Sequence, residues 1–279
     1  PEPLPDPVSE TGDIWILGPH RVMCGDATNI DDADRLMARE KAAMIFADPP
    51  YGVSYAAKNE FLNAVAPANR IQTPIEKDHE SPEEMAEFWT AAFTTTYAKM
   101  ADGAPYYVTG PQGGDLLLLL LQSLRASGLD LRHMLIWAKN NHVLGRADYN
   151  YKHEPIIYGW KGGAGHEFYG SPSETSLWEI NKPHKSDLHP TMKPVEIVER
   201  ALNNSSRVGD SILDPFGGSG STLIACERLS RACRTMEIDP RYCDVIVRRW
   251  QEFTGKQAHL EGQPEALFDA RQEAAAAND

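Results

Sequence analysis

The sequence predicts an α/β fold: a mixed, mostly parallel sheet with helices on both faces. Three observations carry this prediction. Short apolar runs alternate with longer helical patterns, which is the rhythm of strands joined by helical crossovers. One run, residues 42–47, is apolar throughout and stops at Asp48, Pro49, Pro50 and Tyr51. Another, 211–213, enters the glycine-rich turn Asp214, Pro215, Phe216, Gly217, Gly218, Ser219, Gly220, Ser221, Thr222 and continues as a helical pattern.

The elements follow in chain order. Residues 1–11 (PEPLPDPVSET) have the composition of a proline-rich linker. Ile14–Leu17 and His20–Cys24 read as strands turning at Gly18 and Pro19. Asp26 then either caps the helix expected over 31–40 or accepts from a ligand. After the strand 42–47, residues 52–81 show mixed composition and no period, at a length where loops are usually lids or mobile segments. Ser81 reads as an N-cap, with Pro82 at the first helical position and Glu83 and Glu84 in the first turn of a helix to about 100. Its Met85, Phe88, Trp89, Ala92 and Phe93 share a core face. Strands are expected at 105–109, 134–138 and 155–160, and a helix at 115–127 stopped by Gly128. Residues 162–165 form a turn and 169–187 an irregular polar segment. A helix over 196–204 precedes the strand 211–213, a helix 223–229, a strand 235–238 and a helix from Pro240 to about Thr254. The Ala, Glu and Gln content from Lys256 onward reads as a frayed tail.

The two turns carry the chemistry. Consecutive prolines fix two φ angles and press Asp48 and Pro49 towards extended backbone, so the carbonyls of this turn point in set directions. With an acidic acceptor and the flat ring of Tyr51, such a turn suits a planar ligand bearing an amino group, although DPPY alone also describes a strand-ending turn with a solvated Asp. The strand, glycine turn and helix at 211–229 have the anatomy of a nucleotide site, since glycines let a ligand approach the main chain beside a helix N-terminus. The absence of GK[ST] and of GxGxxG spacing argues against a P-loop or a dinucleotide fingerprint. Glu237 lies about 20 residues beyond the glycines, where an acid at a strand end accepts from ribose hydroxyls.

Bulk properties narrow the classes. At 279 residues and 42% hydrophobic content a sizeable core can form, and the apolar run 116–121 is too short to span a bilayer. Cys24, Cys226, Cys233 and Cys243 have no metal-ligand spacing, which predicts reduced thiols in an intracellular protein with no metal. A net charge of −13 argues against indiscriminate nucleic-acid binding over the whole surface. Between 132 and 161 the balance reverses locally, with Arg132, Lys139, Arg146, Lys152 and Lys161 interleaved among Asn140, Asn141, Asn150, Trp137, Tyr149 and Tyr151. Such a mixture can hold phosphates and stack bases, or can be a solvated surface over core aromatics. Pro at position 1 predicts a processed chain or a segment of something longer.

Taken together, DPPY at 48–51, His189, Pro190, Thr191, Lys193 and Pro194, and DPFGGSGST at 214–222 resemble, in that order, the S-adenosylmethionine-dependent DNA amino-methyltransferases of the beta group. In that group the catalytic motif precedes the cofactor motif. The resemblance runs from about 13 to 254 and implies a Rossmann-like methyltransferase fold with circularly permuted motif order. A catalytic domain at 12–255 would carry a mobile loop at 52–81 and a candidate target-recognition insertion at 162–187. The proline-rich start and residues 12–26 also resemble the junction after a ParB-like domain in phage or prophage proteins.

Residue by residue, the resemblance implies a cofactor loop of Asp214, Phe216, Gly217, Gly218, Ser219, Gly220 and Ser221. It gives Glu237, with Ile238 beside it, to the ribose, and Asp26 with Ala27 to the adenine amino group. His189, Thr191 and Lys193 would line the methionine end, although Thr191 and Lys193 also read as caps of the next helix. Asp48 and the Pro49 carbonyl, in the turn stiffened by Pro50, would accept from the amino group of a flipped base stacked on Tyr51. Lys139, Asn140, Asn141, Arg146, Lys152, Lys161, Lys182 and Lys185 would face double-stranded DNA. Asp at the first motif position goes mostly with adenine-N6 in this group and Ser with cytosine-N4, so adenine-N6 is the expected product and cytosine-N4 the alternative. A non-catalytic DNA-binding module, or RNA or protein methylation, are more distant readings. The resemblance further implies a cytoplasmic, nucleoid-associated protein of a bacterial or phage-infected cell. A homodimer, an upstream ParB-like domain or a partner subunit, and an accompanying restriction enzyme also fall within it.

Overall fold

The computed structural model describes residues 3, 6–51, 81–142, 148–181 and 193–276. The expected loop at 52–81 lies outside them except for Ser81. Eleven strands form one sheet in the order β11-β10-β1-β2-β9-β8-β3-β4-β6-β5-β7. They are β1 Ile14–Leu17, β2 His20–Cys24, β3 Met44–Ala47, β4 Pro105–Thr109, β5 His133–Ala138, β6 His153–Trp160, β7 Leu177–Glu179, β8 Ser211–Asp214, β9 Ala232–Glu237, β10 His259–Leu260 and β11 Gln263–Leu267. The helices are α1 Ile30–Met37, α2 Pro82–Lys99, α3 Gly114–Ala126, α4 Val195–Ser205, α5 Ser221–Arg228, α6 Pro240–Thr254 and α7 Phe268–Ala276.

The centre of the sheet, β2-β9-β8-β3-β4, is parallel throughout. Antiparallel pairs sit on either side, β4 with β6 and β6 with β5 at one margin, and β2 with β1, β1 with β10 and β10 with β11 at the other. Parallel strands need both faces covered. One core holds Leu36 of α1, Trp89 and Phe93 of α2 and Leu120 of α3, while the other holds Val198 of α4, Ile224 of α5, Trp250 of α6 and Phe268 of α7. The uniformly apolar β3 serves both, with Ile45 and Ala47 in the first core and Met44 and Phe46 in the second. That explains why its sequence does not alternate.

Most expected elements sit within a residue or two of their places, and α2 begins as read. Ser81 caps Glu84 N–H, while the Glu84 side chain accepts from Ser81 N–H at 2.8 Å. Two expectations change. Residues from Lys256 onward are no frayed tail, because β10 and β11 extend the sheet beyond β1 and Phe268 is buried edge-on against Trp15 with ring centroids 5.1 Å apart. Local composition there is weak in apolar residues, and the neighbouring strand supplies the hydrogen bonds and burial. The polar segment 169–187 also yields a strand, β7, whose Trp178 is buried and whose neighbour is β5.

Part of the linker-like start is docked as well. Val8 and Ser9 are buried, and Asp244 of α6 accepts from Val8 N–H at 2.7 Å, Ser9 N–H at 3.0 Å and the Ser9 hydroxyl at 2.6 Å. Asp244→Ala leaves these buried donors unpaired and is expected to lower stability by about 1–3 kcal/mol in denaturant unfolding. An unchanged midpoint would show that the segment contributes nothing to the fold.

Candidate active site

The parallel register brings the two chemical turns together. Met44 pairs with Ile212 and Ile45 with Leu213, so the chain leaves β3 at Asp48 and β8 at Asp214 from the same end of adjacent strands. Strand parity then selects a face. Asp48, Thr109 and Lys139 follow Phe46, Tyr107 and Trp137 by two residues, Glu154 on the antiparallel β6 precedes Ile156 by two, and these apolar residues all belong to the core beneath α4. Lys193, two residues ahead of α4, enters from above.

Their polar atoms converge on Asp48. Its Oδ1 accepts from Tyr51 Oη at 2.9 Å and from the Thr109 hydroxyl, and lies 3.0 Å from Lys193 Nζ. Tyr51 Oη also reaches Thr109 Oγ1 at 2.8 Å. All of these contacts fall on Oδ1; Oδ2 has no partner among the described residues. The Asp48 side chain is 30% exposed and that of Lys193 11%, while Tyr51, Thr109, Glu154 and Lys139 are buried. Lys193 also stands 2.8 Å from Glu154 Oε2, and Lys139 pairs with Glu154 Oε1. Burial pushes the Glu154 carboxyl up, but the Lys193 and Lys139 ammoniums outweigh it and hold it at about 2. Burial, with Asp48 beside it, drives the Tyr51 hydroxyl well above its ordinary value, so it remains a donor.

The turn itself is anchored from α2, where Trp89 Nε1 donates to the Pro50 carbonyl at 2.9 Å. The neighbouring Pro49 carbonyl has no partner among the described residues. Tyr51 is only 6% exposed, and Lys193 Nζ stands 5.5 Å from its ring centroid. One face of the ring expected to stack on a base thus has the ammonium over it in this state.

The glycine turn is built tightly on one side and left open on the other. A Cβ on Gly217 would lie 2.6 Å from Thr235 Oγ1 and 2.9 Å from Ile246 Cδ1, whereas one on Gly218 would meet nothing closer than 4.0 Å. Gly217→Ala is expected to cost about 1–3 kcal/mol, read as a fall in Tm, because β9 and α6 must both give way. A wild-type Tm would show that they yield freely. Gly220, at φ 79°, caps α5 in a conformation that L side chains rarely adopt. Phe216 packs against Phe88 and Phe93 of α2, with centroids 5.9 and 6.1 Å apart. Arg249 Nη1 fixes the Ser219 carbonyl at 2.7 Å, and Ser221 Oγ holds the Lys193 carbonyl at 2.9 Å, tying this turn to the Asp48 cluster.

Glu237 closes the adjacent end of β9, accepting from Gly218 N–H at 2.8 Å and Asp239 N–H at 3.0 Å. Burial raises it to about 7, and burial raises Asp214, buried at the end of β8, to about 8. Gly25 N–H donates to the Glu237 carbonyl at 3.0 Å, which puts Asp26 and Ala27 beside Glu237 and Ile238. Asp26 Oδ1 accepts from the Thr28 amide and hydroxyl, each at 2.8 Å, so it acts locally as a turn former.

Two of the residues read as facing nucleic acid are not exposed at the Asp48 end. Lys139 is 5% exposed and committed to Glu154, because strand parity turns it inward. Lys161 follows β6 at the amino end of β4, away from Asp48, where it donates to the Met100 carbonyl at 3.0 Å. Asn140, Asn141 and Lys152 remain at the Asp48 end, where Asn140 and Lys152, with Lys139, His153, Glu179 and Asn181, border an open cavity of about 430 Å³; Asn141 and Lys152 are exposed. Arg146, Lys182, Lys185, His189 and Thr191 lie outside the described residues. Sequence reasoning missed Thr109 and the Trp89 anchor; parity along 105–109 pointed to the first, and nothing local pointed to the second. Among the described residues no group of side chains could hold a metal ion, and no helix is long and apolar enough to cross a membrane.

Comparison with known proteins adds kinship to this geometry. A family model described as DNA methylase matches residues 42–248. The type II methyltransferase M2.MboI of Moraxella bovis is 24% identical over 229 residues, spanning 76% of this chain and 81% of that protein. M2.DpnII of Streptococcus pneumoniae is likewise 24% identical over 229 residues, with 76% and 84% covered. Among solved structures, the M1.HpyAVI–SAM complex matches with a TM-score of 0.58 at 21% identity, over 82% of this chain and 98% of that one. PvuII DNA methyltransferase (cytosine-N4-specific) matches with a TM-score of 0.61 at 14% identity, over 87% and 88%. At such identities the solved structures establish a common fold.

Proposed function

We propose an activity that starts from kinship: the chain belongs to the DNA methylase family of N6/N4 type, and we infer that it transfers a methyl group from S-adenosylmethionine to the N6 amino group of adenine in double-stranded DNA. The observation that carries the reading is the adjacency of β3 and β8, which sets the Asp48 turn beside the glycine turn. The glycine turn suits the donor: Gly218 leaves open space, Phe216 offers an apolar face, and Glu237 is an acid at a strand end. Glu237 would hold the ribose, Asp26 the adenine amino group, and Asp214 and Gly217 would shape the loop. When bound, S-adenosylmethionine supplies an electrophilic methyl group.

The protein's part is placement. An exocyclic amino nitrogen is a poor nucleophile because its lone pair is delocalised into the ring. Asp48 Oδ2 and the Pro49 carbonyl would each accept one of its N–H bonds and favour a more tetrahedral nitrogen, while the stiff proline turn holds both acceptors in place. Asp48, partly exposed, would take the proton released and pass it to solvent. Tyr51 would stack on the flipped base once Lys193 clears its face. Asn140, Asn141 and Lys152 would contact the DNA backbone.

Adenine is favoured over cytosine because Asp stands at the first position of the 48–51 motif. DNA treated with the protein and S-adenosylmethionine, digested to nucleosides and separated, is expected to contain N6-methyl-2′-deoxyadenosine. N4-methylcytosine alone would reassign the base, and no methylated nucleoside would overturn the activity.

A further inference from the structure

Asp48 and Glu154 share one cation. Lys193 Nζ lies 3.0 Å from Asp48 Oδ1 and 2.8 Å from Glu154 Oε2, while Lys139 occupies the other Glu154 oxygen. The buried Oε2 has Lys193 as its ionic partner, so this oxygen is already aimed at the ammonium. Glu154 is flanked by two ammoniums and is far too weak a base to take a proton from a substrate. The chain Lys139, Glu154, Lys193 and Asp48 is therefore no proton relay, and its capacity lies in where it puts charge.

That placement matters because the ammonium stands where a substrate must go. An incoming amino group competes with Lys193 for Asp48, and an ammonium is the stronger donor. A base stacking on Tyr51 also meets Lys193 over the ring. Building on the amino-methyl transfer proposed above, we propose that Glu154 is a positioning residue that draws Lys193 off Asp48 and Tyr51 when the target base enters. Lys139 holds the Glu154 carboxylate still so that its second oxygen is aimed at Lys193. Base entry then removes one of the two carboxylate partners of Lys193 without leaving the ammonium unpaired.

Glu154→Gln alone removes the counter-charge of two buried ammoniums and destabilises the fold for that reason. The informative protein is Glu154→Gln with Lys139→Met, which removes one charge of each sign and leaves Lys193 beside Asp48 with no second carboxylate. Steady-state methylation of a DNA duplex, thermal unfolding and S-adenosylmethionine calorimetry would be run on this protein, the wild type, and a triple variant that adds Lys193→Met. The double variant is expected to fold and bind the methyl donor as the wild type does, with kcat/KM for DNA lower on the order of a hundredfold. The triple variant should recover part of that loss, because the competing cation is gone. A double variant as active as the wild type, or a triple variant no faster than the double, would overturn the role of Glu154. Absence of methylation by the wild type would instead overturn the transfer reaction itself, and this inference with it.

Discussion

Asp48→Ala is expected to slow methyl transfer by on the order of 10²–10³-fold, the loss typical of removing one placed hydrogen-bonding group from a reacting centre. S-adenosylmethionine affinity should be unchanged, because among the described residues the carboxyl contacts Tyr51, Thr109 and Lys193 and no group of the glycine turn. The fold should tolerate the change, since Lys193 keeps Glu154 as a partner. Single-turnover incorporation of labelled methyl into DNA, with calorimetry of the donor, separates the two effects. Wild-type transfer by Asp48→Ala would refute the mechanism.

Glu237→Ala should act on the other side of the site, weakening S-adenosylmethionine binding by roughly 1.5–3 kcal/mol, the range for hydrogen bonds to a charged group. The wild-type residue also predicts a pH signature. Burial lifts Glu237 from its ordinary 4.5 to about 7 and Asp214 from 3.8 to about 8. Folded-state values above the unfolded ones mean that the native protein holds more protons in between, so these groups favour the fold most at low pH. That contribution is lost as pH rises from about 4.5 to 7 for Glu237 and from about 3.8 to 8 for Asp214. Two ribose hydroxyls donate best to the ionised carboxylate, so donor affinity should rise with pH up to about 7 and then level. Below that pH, binding should release a proton, visible as a dependence of the calorimetric heat on the buffer. Glu237→Gln should abolish both trends, and their persistence would assign the proton to another group.

Much of this architecture was written in local pattern. The uniformly apolar run before Asp48, the Ser81 and Pro82 helix start and the glycine turn after β8 each declare themselves within a few residues, because strand burial, capping and backbone freedom are short-range effects. What was hidden depends on distant partners. Lys139 sits in a basic, amide-rich segment, and only the register of β5 against β6 shows it facing Glu154 rather than solvent. The strands after Lys256 need β1 beside them before they are strands at all. Thr109 is an ordinary strand-ending residue until Ala47 pairs with Val108 and carries its hydroxyl to Asp48.

The position of β3 also bears on how the chain assembles. Its edges are satisfied by β4 on one side and by β8 on the other, and β8 arrives only with residues 211–214. Contacts so distant in sequence close large loops before they reward the closure, which slows folding. During synthesis, one apolar edge of residues 44–47 therefore stays unpaired until most of the chain has emerged. Such an unpaired edge is exposed to misassociation before folding completes.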